Sequence, residues 1–211
     1  MRSATYQQAS SVSFSTSDKA DPRVVDPENR LLWRANIQRL EAEEIRDAML
    51  LVSGWLDSKL GGKTIPLKNK EFVFNHTSKD ATTYESPRRA LYLPIIRNHL
   101  YDMLEQFDYP DPTMPTGSRN STVIAPQALI MMNAPVVMEC SQRLAAKLCA
   151  LPDENRLSQA YALLYGRAPA EREEADALAL LRDFTRTEKP ERAWALLCQT
   201  LLAANEFIYL R

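Results

Sequence analysis

The chain lacks a charge excess of either sign: 26 Lys and Arg stand against 27 Asp and Glu. A general nucleic-acid binder needs surplus basic side chains to displace counterions from phosphates, so that class is excluded. No apolar run approaches the roughly 20 residues that span a bilayer as a helix, and no membrane span is expected. Histidine is scarce, with only His76 and His99. A catalytic triad or a metal cluster on either would need partners that no local spacing supplies, so no metal site is expected. Cysteine is scarce too. Cys140, Cys149 and Cys198 form no Cys-x-x-Cys pair, which excludes a zinc ribbon and a haem-attachment motif. Each sits in an Ala- and Leu-rich helical context and reads as a packed thiol. The first residues, Ser3-Ala4-Thr5-Tyr6-Gln7-Gln8, hold no apolar segment of a signal peptide, which taken alone points to the cytoplasm. Gly61-Gly62-Lys63-Thr64 looks like the tail of a phosphate-binding loop. Asp57 stands where that loop needs its first glycine, and a helical pattern comes before it instead of a strand.

What is present is the composition of a packed helical protein. Hydrophobic residues make up 45% of the 211, enough for a core. Residues 1–25, rich in Ser, Ala, Thr and Gln, read as a lead-in or linker. Residues 26–211 read as a single mainly helical domain, or as two lobes at 26–117 and 118–211. A first helix is expected from Asp26-Pro27 onward, with Asp26 as its cap and Trp33, Ile37, Leu40, Ala48, Met49 and Val52 as its apolar stripe. Gly54 weakens it and Gly61-Gly62 ends the segment. Glu71-Phe72-Val73-Phe74 reads as a short strand of one β-hairpin. The region 87–107 reads as an extended stretch, 88–93, followed by a helix beginning near Pro94. First-turn prolines then place helices at 126–132 and 135–149. Asp153 caps another that Gly166 stops, Pro169 opens one to about Thr185, and Pro190 opens the last, with Trp194, Leu197, Leu201 and Ala204 as its stripe. The fold class is therefore mainly α: a helical bundle with long ordered loops and one short β-hairpin.

One polar block, 107–133, interrupts this pattern. It holds Asp108, Asp111, Arg119, Asn120, Ser121, Thr122, Gln127 and Asn133, and Arg88 and Arg89 lie on the preceding arm. A proline-rich loop that delivers Arg, Asn and Ser to a helix start concentrates donors suited to an anion or a sugar. The same residues also suit a self-satisfied structure: an Arg–Asp pair fixing the loop, Ser121 or Thr122 capping the helix, and Asn133 joining two helices.

The block also carries a resemblance. Arg88-Arg89-Ala90-Leu91-Tyr92, Phe107-Asp108, Arg119-Asn120-Ser121-Thr122, Pro126-Gln127-Ala128-Leu129 and Met132-Asn133 follow one another in order. Asn29-Arg30-Leu31-Leu32-Trp33-Arg34, Arg39-Leu40-Glu41-Ala42-Glu43 and Ile45-Arg46-Asp47-Ala48 precede them. Tyr165-Gly166-Arg167-Ala168-Pro169 and Asn205-Glu206-Phe207-Ile208-Tyr209 follow. Together these resemble the PSD-type domain of unknown function, found at the C-terminus of large planctomycete-type proteins with cytochrome-c-like modules. The resemblance implies a periplasmic or exported protein and an N-terminally truncated fragment, with haem c on upstream modules and no cofactor in this chain. Two functions follow as expectations. The first is a scaffold or binding module serving those upstream modules. The second is a catalytic or ligand-binding domain for a carbohydrate or another polyanion, its site in the 107–133 block with Arg88 and Arg89.

Overall fold

Proline and glycine punctuate the C-terminal half. A computed structural model describes residues 21–62, 64, 86–95 and 100–210. Within them, prolines occupy the first turns of α4 (Ala125–Asn133), α5 (Pro135–Cys149) and α8 (Pro190–Leu202), where a missing N–H leaves no helical bond unmade. α6 (Asp153–Tyr165) ends at Gly166, which takes the left-handed conformation with φ 70°. α7 (Glu171–Phe184) carries Glu171, Glu173 and Glu174 in its first turn, where the helix dipole favours acids. Asp153 is the first residue of α6 and not its cap, which is Pro152. Pro169 lies outside α7, and Ala204 lies past α8 as the cap of a one-turn α9 (Asn205–Ile208).

The core forms where α5 and α8 pack, the most extensive helix pairing of the fold. α5 buries Val136, Val137, Cys140, Ser141, Leu144, Ala145 and Leu148, all on one stripe of helical period. α8 meets it with Ala193, Ala195, Leu197, Cys198, Leu201 and Leu202. Alanine and cysteine let the helices approach closely, while Leu144, Leu148 and Leu202 are wholly removed from water, each contributing roughly 1.5–3 kcal/mol. Buried apolar residues from Ala42 to Ile208 join this cluster, so the N-terminal elements rest on the same core. The expected mainly helical fold class is observed.

The N-terminal half departs from its apolar pattern. The expected helix from Asp26 begins only at α2 (Ala42–Val52), and before it comes a single turn, α1 (Pro22–Val25). Side chains outcompete the helix here. The Asp26 carboxylate accepts from the N–H of Arg30 and of Leu31, at 2.9 and 2.7 Å. Asn29, itself left-handed at φ 56°, donates to the Arg34 carbonyl and to Asn36 Oδ1, and accepts from the Arg34 N–H. The Trp33 indole N–H donates to the Asp26 carbonyl at 2.8 Å. The chain then enters β1 (Gln38–Arg39), which pairs antiparallel with β2 (Tyr209–Leu210): Gln38 opposite Leu210, Arg39 opposite Tyr209. This is a long-range pairing and not a hairpin, and the strand expected at 71–74 lies outside the described residues. α2 ends before Gly54, whose φ of 74° stops it. Between 88 and 93 the backbone makes a 3-10 turn, Ala90–Tyr92, where an extended arm was expected. Pro94 and Ile95 are not helical, and the described helix of this region is α3 (Asp102–Gln106).

The conformation of Gly166 gives a test. Gly166→Ala should lower stability by about 1 kcal/mol, because a Cβ is strained at this φ although space is open. Gly117→Ala, with open space and no positive φ, should leave the melting temperature unchanged or slightly raised. Thermal unfolding of both variants checks the pair.

Candidate functional site

The site grows from the end of α3. The Tyr109 N–H reaches the Leu104 carbonyl at 3.0 Å and the Asp108 N–H reaches that of Glu105 at 3.4 Å, a helix-closing motif that needs a left-handed residue between. That residue is usually glycine. Here it is Asp108, at φ 61°. Aspartate tolerates this region better than most residues, and its carboxylate is turned to use. Oδ2 accepts from the Arg39 guanidinium at 2.7 Å and from the Thr122 N–H at 2.8 Å. The Thr122 hydroxyl donates to Oδ1 at 2.9 Å.

Arg39 is the buried centre of this arrangement, its side chain only 5% exposed. It also donates to the carbonyls of Thr122 and Phe107 and lies over the Phe107 ring at 5.8 Å. Its Nε is buried without a hydrogen-bond partner among the described residues. Gln127, buried on α4, completes the network. Its amide N–H groups donate to the carbonyls of Gln106 at 2.9 Å and Thr122 at 3.1 Å, which ties α4 to the end of α3. Arg119 pairs in bidentate fashion with Glu43 at 2.8 and 2.9 Å, reaches Glu41 at 3.0 Å and lies 5.4 Å from the Tyr109 ring centre. Residues 37–41, Phe107, Asp108, Arg119, Asn120 and Ser121 line a pocket of about 340 Å³. Asn120 and Ser121 line it with side chains that make no hydrogen bond among the described residues.

The expected residues therefore separate. Asp108, Arg119, Asn120, Ser121, Thr122 and Gln127 come together. Arg88 and Arg89 serve another junction. Arg88 is buried and donates to the carbonyls of Lys59 and Gly61, both at 2.7 Å, with its guanidinium 4.5 Å from the Tyr92 ring centre. Arg89 faces Asp47 at 3.7 Å. Asn133 does not join two helices: it donates to the Leu129 carbonyl within α4 at 2.9 Å, and Gln199 makes the cross-helix bond, to the Met132 carbonyl. Thr122 bonds Asp108 and does not cap α4, whose cap position is Ile124. The residues missed were Arg39, Glu41 and Glu43. Composition gave no reason to place them there, although they stand in one of the motifs quoted above.

Two further arginines act in the same way. Arg46, almost wholly buried, donates to the Arg88 carbonyl at 2.9 Å and to that of Ser86, and its neighbour Asp47 accepts from the Ala90 N–H at 2.7 Å. Arg167 bridges Glu173 and Glu206, with four contacts of 2.7 Å. Hydrogen bonds from Arg167 and the Ala170 N–H hold the Glu173 carboxyl down at about 2.

Burial pushes the Cys140 thiol up and Cys198 to about 12, so neither is a thiolate at neutral pH. No group of three or more metal-binding side chains occurs among the described residues. Residues 1–181 match a family described as PSD1, protein of unknown function (DUF1553). No curated protein and no solved structure matches the chain.

The Asp108 network carries a pH signature. Burial raises this carboxyl, but the hydrogen bonds from Arg39 and Thr122 outweigh it and hold it below the usual range. A depressed carboxyl stabilises the fold above its unfolded value of about 3.9, and the contribution is lost as pH falls through the folded value. The stability difference between the wild type and Asp108→Asn, read by urea unfolding, should be largest above pH 4 and shrink below it. A difference that stays constant down to pH 2.5 would show that the charge of Asp108 does not matter.

Proposed function

The chain belongs to the PSD1 family of proteins of unknown function, and we propose that it is a non-catalytic scaffold or binding module of a larger protein. The observation that carries this reading is the mutual satisfaction of the polar block. Arg39, Asp108, Thr122 and Gln127 spend their hydrogen bonds on one another and on main-chain carbonyls, and Arg119 spends its own on Glu43. Groups engaged in this way fix three segments of chain and leave none poised as base or nucleophile. On the resemblance, the larger protein is exported and carries cytochrome-c-like modules upstream. Haem c would belong to those modules, since this chain has no haem-attachment motif.

A second reading rests on Asn120 and Ser121, which line the polar pocket and whose amide and hydroxyl make no hydrogen bond among the described residues. Around it, two guanidinium groups, Arg39 and Arg119, meet three carboxylates, Glu41, Glu43 and Asp108. That balance disfavours a polyanion and favours a neutral carbohydrate, whose hydroxyls match amide and hydroxyl partners.

Two variants separate these readings. Under the scaffold reading, Arg119→Ala lowers stability by about 1 kcal/mol, since its partners are half-exposed, and Asn120→Ala changes nothing measurable. Calorimetric titration with neutral oligosaccharides then gives no saturable heat. Saturable binding that Asn120→Ala removes without a change in melting temperature would overturn the scaffold reading in favour of the second.

A further inference from the structure

Helix α4 is inside out. Its buried residues are Gln127 and Met131, while Leu129 and Met132 are 58% and 57% exposed. Val123 and Ile124, just before it, are also exposed. A surface helix ordinarily turns its polar face to water. The cause lies in the polar network: Gln127 must point inward to reach the carbonyls of Gln106 and Thr122, and Leu129, two residues on, is carried to the outer side. No charged residue occurs from Asn120 to Met138.

This outward face borders a groove of about 530 Å³ between α3, α4 and the start of α5. Tyr101, Met103, Pro126, Leu129, Ile130 and Ala134 supply its walls, and among the described residues no Lys or Arg lines it. The α3 rim is acidic. Asp102 lines the groove, and Glu105 lies one turn along; neither has an ion pair among the described residues. The surface is thus an apolar floor with one acidic edge and one uncharged edge. An anionic membrane would require basic residues there, so a lipid surface is the wrong complement. Contiguous exposed apolar area with a one-sided charge is the form of a helix-binding groove.

We infer that the α3–α4 groove docks an amphipathic helix of another polypeptide, one with an apolar face and Lys or Arg along a single flank. This rests on reading the chain as a binding module, and it names the surface through which such a module would engage its partner. The groove is separate from the polar pocket, so the two ideas fail separately. Variants of Asn120 address the pocket, and variants of Leu129 address the groove.

The test uses the full chain and a fluorescent peptide of about 18 residues, five helical turns, built from Leu, Ala and Lys. Leu repeats at i, i+3, i+4 and i+7, with Lys along one flank, and a second peptide carries Glu in place of Lys. Anisotropy should show saturable binding of the Lys peptide. Asp102→Asn combined with Glu105→Gln should weaken it about tenfold at low salt, and the Glu peptide should bind at least as poorly. Leu129→Glu should abolish binding without lowering the melting temperature, and Asn120→Ala should leave binding intact. The inference is overturned if neither peptide binds or both bind alike. It is also overturned if sedimentation shows a dimer that Leu129→Glu dissociates, or if phosphatidylglycerol vesicles bind the chain in a Leu129-dependent way.

Discussion

The buried ion pair of Arg39 and Asp108 is the constraint on which the surrounding structure depends. A guanidinium with 5% exposure is costly unless its charge is matched and its donors are engaged. Here one carboxylate and two carbonyls engage both terminal nitrogens, while Nε has no partner among the described residues. The carboxylate reaches Arg39 from Asp108, a left-handed residue in a helix-closing motif where glycine would fit with less strain. Removing either partner leaves the other buried and unmatched. The pair therefore fixes where α3 stops, where Thr122 lies and how β1 sits against both. Through Thr122 and Gln106 it also sets the rotation of α4, because Gln127 must face those carbonyls. The apolar outer face of α4 is then a consequence of the polar network within.

The same device recurs along the chain. Arg39 and Glu43 meet Asp108, Thr122 and Arg119. Arg46 and Asp47 meet the backbone of Arg88 and Ala90, and Arg167 meets Glu206. Each junction joins sequence motifs that are far apart, and these are the motifs on which the resemblance rests. Arginine suits the role because its planar fork offers five donors, enough to hold a carboxylate and several carbonyls at once. Long connections carry many main-chain carbonyls without helical partners, and buried arginines satisfy some of them. Among the described residues, the result is a bundle whose loops are held by side-chain-to-backbone bonds.

What could be read from the sequence follows from where local signals act alone. The start of α5 and the end of α6 lie where Pro135 and Gly166 put them, since these residues restrict the backbone before any tertiary contact forms. The stretch from Asp26 to Leu40 misled because its apolar spacing is helical while Asp26 and Asn29 bind nearby main-chain groups in a turn. In the polar block, composition identified Asp108, Thr122 and Gln127 but not Arg39, the partner of the first two. Arg39 looked like part of a helix face, and nothing in residue spacing records a contact 69 positions away. Arg88 looked like a member of the block and instead holds the carbonyls of Lys59 and Gly61. Both errors concern arginine, whose long side chain and many donors permit several equally good destinations.

A double-mutant cycle between Arg39→Met and Asp108→Asn tests the central claim most directly, with stability measured by urea unfolding near pH 7. If the pair organises this part of the fold, the coupling between the two substitutions should be on the order of 2 kcal/mol, because either alone strands a buried charge or its donors. A coupling near zero, with the two effects simply adding, would contradict the account and make Arg39 and Asp108 independent contributors.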